Sequence, residues 1–343
     1  MGNSSRAAFH SRRRQEDAMR ATATAGSNIA IVKYWGARDL ALNLPANGSI
    51  SLTLDAARTT TTVDFAPAYE ADALVLNGRE MGGTALARVS AHLDRLRALA
   101  GVNLRARVET ANTFPEGSGI ASSASGFAAL TVAAAAALGL RLSERELSRL
   151  ARLGSGSACR SIIGGWAEWL AGTCDEDSYA VQVAPPEHWD VRDLVAVVSA
   201  EPKAVPSAKG HERAASSPLF EARLRQVEEA LPAVRRAILE RDFHALGVLA
   251  EADALSMHAI MLTSAPPLLY WLPATVELIR QVWQWRLEGL PCYFTIDAGP
   301  NVHVLTLPQA VAHVAERLRA LPFVRQVIPC GPGPAPRVIP SGA

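Results

Sequence analysis

Two segments rich in glycine and serine offer the clearest chemistry in this chain of 343 residues. The first, at 116–123, reads Glu-Gly-Ser-Gly-Ile-Ala-Ser-Ser and runs into an alanine-rich stretch at 124–140 that predicts a buried helix. Small residues let backbone N–H groups approach an anion closely, and the positive end of the following helix faces the same point. The segment therefore favours a phosphate-binding loop, although a tight turn without any ligand has the same composition.

The second segment, at 154–160, combines the hydroxyls of Ser155 and Ser157 with the guanidinium of Arg160. This set suits a carboxylate or a phosphate. A capped turn with a surface arginine is an equal alternative, because arginine is abundant in this chain. Asp297 follows an apolar run and stands shortly before a Gly-Pro pair. An acidic group at such a strand end is either a turn former or a base directed into a cleft.

Lysine is rare in this chain. Of the 34 basic residues, only three are lysines: Lys33, Lys203 and Lys209. Lys33 interrupts an apolar run at 31–36, where a lysine at a strand edge could extend its ammonium group to solvent. Codon composition is the simplest explanation of this bias, but because arginine and lysine differ physically, the segments that keep lysine raise the question of a specific task.

The composition excludes several classes of partner. With 34 basic and 33 acidic residues, the net charge of +1 is too small to attract nucleic acid or an anionic membrane. At 49% hydrophobic residues, the chain predicts a globular protein with an ample core. Four separated cysteines without a CxxC pair predict a reduced, cytoplasmic protein. Residues 1–18 hold four arginines but no apolar signal-peptide core, so we expect a disordered extension.

The chain has a predicted domain boundary near residue 195, and helices and strands on both sides of it must position these groups. Asn77-Gly78 predicts a tight hairpin turn, and Ser143 with Glu146 forms a capping box that begins a helix. Apolar and alternating runs predict a mostly antiparallel sheet with one helix at 84–99 and strands at 28–32, 49–54, 59–65, 74–76 and 104–109.

The second half predicts helices packed on a short sheet, which is an α+β arrangement. Ser217-Pro218 predicts the start of a helical region that reaches about residue 261. The remaining pattern predicts strands at 194–199, 293–296 and 302–305 and helices at 276–287 and 311–320.

Taken together, these segments resemble the mevalonate diphosphate decarboxylases of the GHMP kinase superfamily. The matching runs stand in family order and at family spacing from about residue 21 to residue 329: 28–36 with Arg38-Asp39, 45–54, 114–127, 152–169 and 294–301. The resemblance implies an α+β GHMP kinase fold, with an N-terminal ribosomal-S5-domain-2-like domain and a C-terminal ferredoxin-like domain. The expected divisions are an extension at 1–18, an ATP-binding domain at 19–195, a C-terminal domain at 196–335 and a tail at 336–343.

The resemblance also implies ATP and Mg²⁺ as cofactors, and phosphorylation of a tertiary C3 hydroxyl followed by loss of phosphate and CO2. Asp297 would orient or deprotonate the hydroxyl, Lys33 would offset charge on the transferring phosphoryl group, and Arg160 would hold the substrate carboxylate. The Mg²⁺ ligands stay unassigned. The implied ATP contacts are Gly117, Ser118, Gly119, Ala121, Ser122 and Ser123. The implied substrate contacts are Asn28, Tyr34, Ser155, Ser157, Ser207 and Lys209.

Two departures from the family pattern concern the substrate. Ala37 and Ala208 stand where many members carry a lysine and an arginine against the terminal phosphates. Two missing cations cost a few kcal/mol of diphosphate binding, at ~1.5–3 kcal/mol per charged hydrogen bond, unless Lys209, Arg38 or Lys203 compensates. We therefore expect mevalonate 5-phosphate, giving isopentenyl phosphate, ahead of the 5-diphosphate, giving isopentenyl diphosphate.

More remote alternatives are a mevalonate 3-kinase and a non-catalytic sensor on the same scaffold. Both are disfavoured because Lys33, Arg160 and Asp297 occur together. We expect a cytoplasmic enzyme of isoprenoid biosynthesis by the mevalonate pathway, with small-molecule substrates and neither nucleic acid nor membrane as a partner. The family often forms homodimers, and we expect the same here.

Overall fold

A computed structural model describes residues 19–114, 122–201 and 203–340. Two large sheets and one small sheet of two strands organise the described part of the chain. The strands are β1 (Arg20–Val32), β2 (Ala37–Asp39), β3 (Leu44–Pro45), β4 (Ser49–Ala66), β5 (Ala73–Leu76), β6 (Arg79–Met81), β7 (Arg105–Asn112), β8 (Trp166–Trp169), β9 (Ala180–Ala184), β10 (Arg192–Val197), β11 (Cys292–Thr295), β12 (Val302–Thr306), β13 (Gln326–Cys330) and β14 (Arg337–Ile339). The helices are α1 (Gly83–Ala100), α2 (Ser122–Ala137), α3 (Glu144–Gly154), α4 (Ser207–Arg213), α5 (Phe220–Glu240), α6 (Phe243–Thr263), α7 (Pro273–Leu287) and α8 (Val311–Ala320).

The first sheet has the order β14-β1-β4-β7-β5-β6, with β8 and β9 attached through β4. Its longest pairing is between the antiparallel strands β1 and β4, which runs from Arg20 opposite Asp64 to Val32 opposite Ile50 with two register shifts. Alternating and β-branched residues favour these long strands. Because β1 ends at Val32, the next residue, Lys33, lies just beyond the end of this strand.

The alanine-rich helix α2 packs across β1 and β4. Its alanines, such as Ala124, Ala128 and Ala134, are fully buried, and their small side chains let the helix lie close to the sheet. The predicted buried helix at 124–140 is confirmed. The predicted capping box of α3 is also confirmed, with Ser143 and Glu146 each bonding the other's backbone N–H.

The second sheet has the order β11-β12-β10-β13 and carries α7 and α8. Helix α6 lies between this sheet and β1, and it packs closely on β11 because a Cβ at Gly247 would stand 2.1 Å from the Tyr293 ring. By length and composition alone α6 could cross a membrane, but over half of its most apolar window is buried in the protein. Buried Glu251 and Asp253 on α6 pair with Arg286 and Arg223, as befits a core helix.

Three expectations about boundaries are wrong. The division after residue 195 falls inside β10, which pairs with β12 and β13 of the second sheet, so the division lies before Arg192. The expected tail at 336–343 contains β14, which pairs with β1 and completes the first sheet. Helix α5 begins at Phe220 rather than at Ser217, because the Ser217 hydroxyl accepts the Leu219 N–H and so forms a turn before the helix. The expected extension at 1–18 lies outside the described residues.

Candidate active site

Lys33 and Asp297 meet where β1 of the first sheet ends beside the loop after β11 of the second. Lys33 Nζ lies 2.7 Å from Asp297 Oδ1 and donates a second hydrogen bond of 2.6 Å to the Ala30 carbonyl oxygen. The lysine side chain is 1% exposed and that of Asp297 is 25% exposed. The second carboxylate oxygen of Asp297 has no hydrogen-bond partner among the described residues. One oxygen is therefore fixed by Lys33 while the other is available to a ligand.

Burial and neighbouring charges decide how this pair titrates. Burial alone raises the pKa of Asp297, but Lys33, His303 and Arg160 outweigh it and hold that pKa below the ordinary aspartate value. Burial lowers the pKa of Lys33, and the attraction of Asp297 and then Asp253 opposes the change without cancelling it. Asp297 is therefore ionised at neutral pH and is able to accept a proton.

Arg160 lies in a cradle of neutral groups. Its guanidinium donates to Ser49 Oγ at 2.5 Å, to Ser51 Oγ at 3.0 Å and to Asn28 Oδ1 at 3.1 Å. The arginine is 3% exposed, and it has no carboxylate partner within the described ranges. Burial lowers its pKa, yet a guanidinium stays protonated. A buried cation with only neutral partners is suited to a bound anion.

The cradle is built by strand periodicity and by one amide. Ser49 and Ser51 are two residues apart in β4 and so point to the same face. The Asn28 amide donates to Ser161 Oγ at 2.7 Å and to the Ser157 carbonyl oxygen at 3.2 Å, which orients its oxygen towards Arg160. Lys33, Arg160 and Asp297 are close enough that each charge affects another; we call them the reaction cluster.

The two glycine- and serine-rich segments meet at their serines. Ser155 Oγ lies 3.2 Å from Ser123 Oγ, at the start of α2, and Ser122 is the first residue of that helix. The hydroxyl of Ser157 has no hydrogen-bond partner in the described part of the chain. The other predicted contacts of the first segment, Gly117, Ser118, Gly119 and Ala121, lie outside the described residues.

Tyr34 packs between the second segment and α4. Its ring stacks on His211 with centroids 4.1 Å apart, and a Cβ at Gly156 would stand 2.8 Å from it, so this glycine makes room for the tyrosine. His211 Nδ1 accepts the Gly36 N–H at 3.0 Å, which is possible only for the neutral ring. Burial lowers the pKa of His211 to about 3.

The Gly36–His211 hydrogen bond places β2, which begins at Ala37, next to α4, which contains Ser207 and Ala208. We call this region the β2–α4 junction. Lys209 does not join the reaction cluster: its side chain is 66% exposed and pairs with Glu212 on the same helix.

Lys203 and Arg38 differ in their availability beside this junction. Lys203 Nζ lies 3.4 Å from Ser207 Oγ and 5.9 Å from the centre of the Tyr270 ring, and it interacts electrostatically with Asp297. It forms no ion pair with an acidic side chain among the residues that the structure describes. Arg38 donates to the carbonyl oxygens of Pro45, Ala171 and Gly172. Lys203 therefore has fewer protein partners than Arg38, and unlike Lys209 it is not paired with a carboxylate on its own helix.

Sequence reasoning missed several of these groups. It named Lys203 but not Ser49 or Ser51, although the period-2 pattern of β4 places both serines on one face. Nothing in the sequence pattern indicated that His211 would accept the Gly36 N–H. No cluster of three or more His, Cys, Asp or Glu residues suited to a metal occurs in the described part of the chain, and the Mg²⁺ ligands stay unassigned.

Family models match both parts of the chain. Residues 25–180 match the family described as "Diphosphomevalonate decarboxylase-like N-terminal domain", and residues 193–328 match "Mevalonate 5-diphosphate decarboxylase C-terminal domain". A diphosphomevalonate decarboxylase of Aspergillus fumigatus is 41% identical over 88% of this chain and 80% of its own. A phosphomevalonate decarboxylase of Haloferax volcanii is 36% identical over 87% of this chain and 91% of its own.

Solved structures show the same fold. One described as "MDDEF in complex with MVAPP, AMPPCP and Magnesium" superposes with a TM-score of 0.88 at 41% identity, covering 93% of this chain and 98% of that one. The expected α+β GHMP kinase fold is thereby confirmed.

Proposed function

Since this chain belongs to the diphosphomevalonate decarboxylase family, we propose that it is an ATP-dependent decarboxylase of mevalonate 5-diphosphate. Its products are isopentenyl diphosphate, CO2, ADP and phosphate. The observation that carries the proposal is the reaction cluster. A buried Lys33–Asp297 pair with one free carboxylate oxygen lies beside Arg160, whose described partners are all neutral. This arrangement offers a base and an anion-binding cation in one place.

The donor set fits a nucleoside triphosphate. Ser122 and Ser123 stand at the beginning of α2, where hydroxyls and the helix N-terminus favour phosphate oxygens. ATP with Mg²⁺, when bound, supplies the phosphoryl group that turns the C3 hydroxyl into a leaving group. The solved relative described as a complex with AMPPCP and magnesium supports this pairing.

Asp297 acts on the C3 hydroxyl. The free carboxylate oxygen of Asp297 accepts the proton of the C3 hydroxyl as the hydroxyl oxygen attacks the phosphoryl group of ATP. Lys33 keeps the carboxylate ionised and oriented. Lys33 also offsets negative charge that develops beside it. General base catalysis of this kind contributes roughly 10²–10⁴ in rate.

Arg160 acts on the substrate carboxylate. Its fork holds this group in line with C3 while the C3–O bond breaks and phosphate leaves with the bonding electrons. The electron pair of the bond to the carboxylate then forms the new double bond, and CO2 is released. Because the Arg160 cradle is buried and neutral, little water competes for the carboxylate or for the developing cation.

The phosphorylation state of the substrate rests on the relatives. Proteins that are 38–41% identical to this chain are named for the diphosphate. These relatives support the diphosphate as substrate better than the monophosphate, which the sequence favours because of Ala37 and Ala208. If the substrate is the diphosphate, Lys203 supplies one cation for its phosphate oxygens.

Mevalonate 5-phosphate is the second candidate. The observation in its favour is the β2–α4 junction, where Ala37 and Ala208 provide no charge and Lys209 pairs with Glu212. A relative named phosphomevalonate decarboxylase is 36% identical.

One experiment tests both candidates. The purified protein is given ATP and Mg²⁺ with either mevalonate 5-diphosphate or mevalonate 5-phosphate, and CO2 and ADP are measured together. We expect one CO2 per ADP and a higher kcat/KM for the diphosphate. Preference for the monophosphate would establish the second candidate. ADP without CO2 would indicate a 3-kinase, and no turnover of either compound would leave a non-catalytic sensor.

We propose a cytoplasmic location and a homodimer as well. The four cysteines are free thiols, and three of them, Cys159, Cys292 and Cys330, are buried, which favours a reducing compartment. Light scattering on the eluting protein measures the oligomeric state, and a mass of one chain would exclude the dimer.

A further inference from the structure

A buried ion pair that the proposed mechanism does not use lies behind the reaction cluster. Arg223 on α5 and Asp253 on α6 form two hydrogen bonds of 2.7 and 2.9 Å, and both side chains are 1% exposed. A buried ion pair is weak evidence for stability, because apolar residues of similar volume often serve two packed helices as well or better. The pair therefore calls for another explanation.

The pair holds the backbone of Lys33. Asp253 Oδ2 accepts the Lys33 N–H at 2.7 Å, and Arg223 Nη2 lies 3.4 Å from the Lys33 carbonyl oxygen. Asn47 Nδ2 donates to the same carbonyl oxygen at 2.9 Å. Because β1 ends at Val32, no strand ladder fixes these two peptide groups. Side chains from α5, α6 and the β3–β4 loop fix them instead.

Fixing this peptide determines where the lysine side chain can go. Lys33 Nζ returns to the Ala30 carbonyl oxygen at 2.6 Å and meets Asp297 at 2.7 Å. A backbone that turns at the end of a strand would otherwise allow several directions for this long side chain.

The same pair also contributes to the charges around Lys33. The groups that face it are Asp297 from the loop after β11, Asp253 and His258 from α6, Arg160 from the 3-10 turn after α3, and Arg223 from α5. Asp297 and Asp253 favour the protonated amine, whereas burial and Arg160 disfavour it. His258 is neutral, since burial lowers its pKa to about 3. Asp253 is therefore the second carboxylate that favours the charged form of Lys33.

We propose that Arg223 and Asp253 are positioning residues for Lys33, holding its peptide so that Nζ meets Asp297 and placing a second carboxylate nearby. This inference rests on the proposed function for its effect on turnover, but its effect on Lys33 itself is measurable without turnover.

Two variants separate the two parts of the proposal. Asp253→Asn keeps the shape and removes the charge. We expect kcat to fall by about ten- to hundredfold, with KM for the substrate changed much less. The alkaline limb of the kcat profile moves to lower pH, because the protonated amine loses an attraction. Arg223→Lys keeps the charge but loses the fork. We expect kcat to fall severalfold, while the alkaline limb of the kcat profile stays at the same pH as in the wild-type protein.

The rarity of lysine provides a direct measurement. Protein labelled with ¹³C at the lysine ε carbon gives signals from three side chains only. Lys203→Arg and Lys209→Arg variants identify the Lys33 signal by elimination. In a pH titration followed by NMR, Asp253→Asn lowers the pKa of Lys33. Arg223→Lys adds a fourth signal, which is identified by its absence from the wild-type spectrum, and leaves the pKa of Lys33 in place. Arg223→Lys also provides the kcat test if the Asp253→Asn protein does not fold.

The matched control is another buried ion pair, Arg97 with Asp72, whose side chains are each 4% exposed in the first domain. Asp72→Asn should lower the thermal unfolding temperature without changing kcat or the Lys33 titration. The proposal is overturned if Asp253→Asn leaves both kcat and the pKa of Lys33 unchanged, or if it changes only KM. It is also overturned if Asp72→Asn shifts the pKa of Lys33 equally. If the wild-type protein turns over neither substrate, the proposed function fails, while the NMR titration still decides whether Asp253 acts on Lys33.

Discussion

The reaction cluster and the β2–α4 junction face the same substrate in the proposed function, but they are built very differently. Lys33 and Arg160 are 1% and 3% exposed, and side chains from several strands and helices hold them. At the junction, Ala208 is exposed and Lys209 pairs outward with Glu212. A change in the cluster disturbs many partners, whereas a change at the junction disturbs few. The chemistry is therefore constrained by the core, while recognition of the phosphorylated tail depends on a few exposed positions.

Asp297→Asn should have the largest effect, because it removes the base and the charge that Lys33 opposes. We expect CO2 release to fall by about 10³-fold or more, with ATP affinity, measured by calorimetry, almost unchanged. Asp175→Asn is a matched control, since this carboxylate is 24% exposed and also ion-paired, with Arg149 and Arg152. Near-normal turnover of Asp297→Asn would remove Asp297 from the reaction.

Lys33→Met tests how the cluster sets the charge state of Asp297. We expect the rate to fall by roughly 10²–10³-fold, as on loss of a single electrostatic contact at a reacting group. In the wild-type protein the pKa of Asp297 lies below the ordinary value, so activity is lost only as pH falls through that lowered pKa. Without Lys33, burial raises the pKa, and the acid limb of kcat/KM moves to higher pH. An acid limb that stays in place would show that another group is the base.

Arg160→Lys tests whether the cluster needs a fork or only a positive charge. Lysine cannot reach Ser49, Ser51 and Asn28 together, so the cation loses its orientation towards the substrate carboxylate. We expect kcat/KM to fall by about 10²-fold, which corresponds to roughly 3 kcal/mol. Arg235→Lys is the control, because Arg235 also donates two hydrogen bonds, to Glu168, away from the cluster. Equal effects of the two substitutions would assign Arg160 a structural role only.

Local signals in the sequence predicted much of the fold. Asn77-Gly78 forms the predicted hairpin between β5 and β6, with φ of 49° and 78° at the two turn residues. The helix predicted at 311–320 has the bounds of α8. These elements depend on residues close together in the chain, where periodicity and turn chemistry act directly.

Contacts between distant residues were not predictable in the same way. Asp253 is 220 positions from Lys33, and no spacing or composition links them. The pairing of β14 with β1 depends in the same way on tertiary packing rather than on its own three residues. Lys33, Arg160 and Asp297 were identified mainly through the family resemblance. From residue type alone, Lys33 also fitted a lysine at a strand edge, Arg160 a surface arginine and Asp297 a turn former.

Ala37→Lys should have the smallest effect and should act on the junction alone. The new ammonium group would stand at the start of β2, next to α4, where the Gly36–His211 hydrogen bond joins the two segments. One charge-assisted hydrogen bond to a phosphate should raise kcat/KM for the diphosphate by about tenfold relative to the monophosphate.

The control for this substitution is Ala41→Lys, which adds the same charge at an exposed position between β2 and β3. Because long-range attraction between exposed charges is screened by salt, Ala41→Lys should leave the ratio of the two substrates unchanged at about 0.15 M ionic strength. If both lysines change the ratio equally, the effect is one of net charge. If neither changes it, Ala37 does not face the phosphates, and the choice of phosphorylation state depends on Lys203 and Ser207 instead.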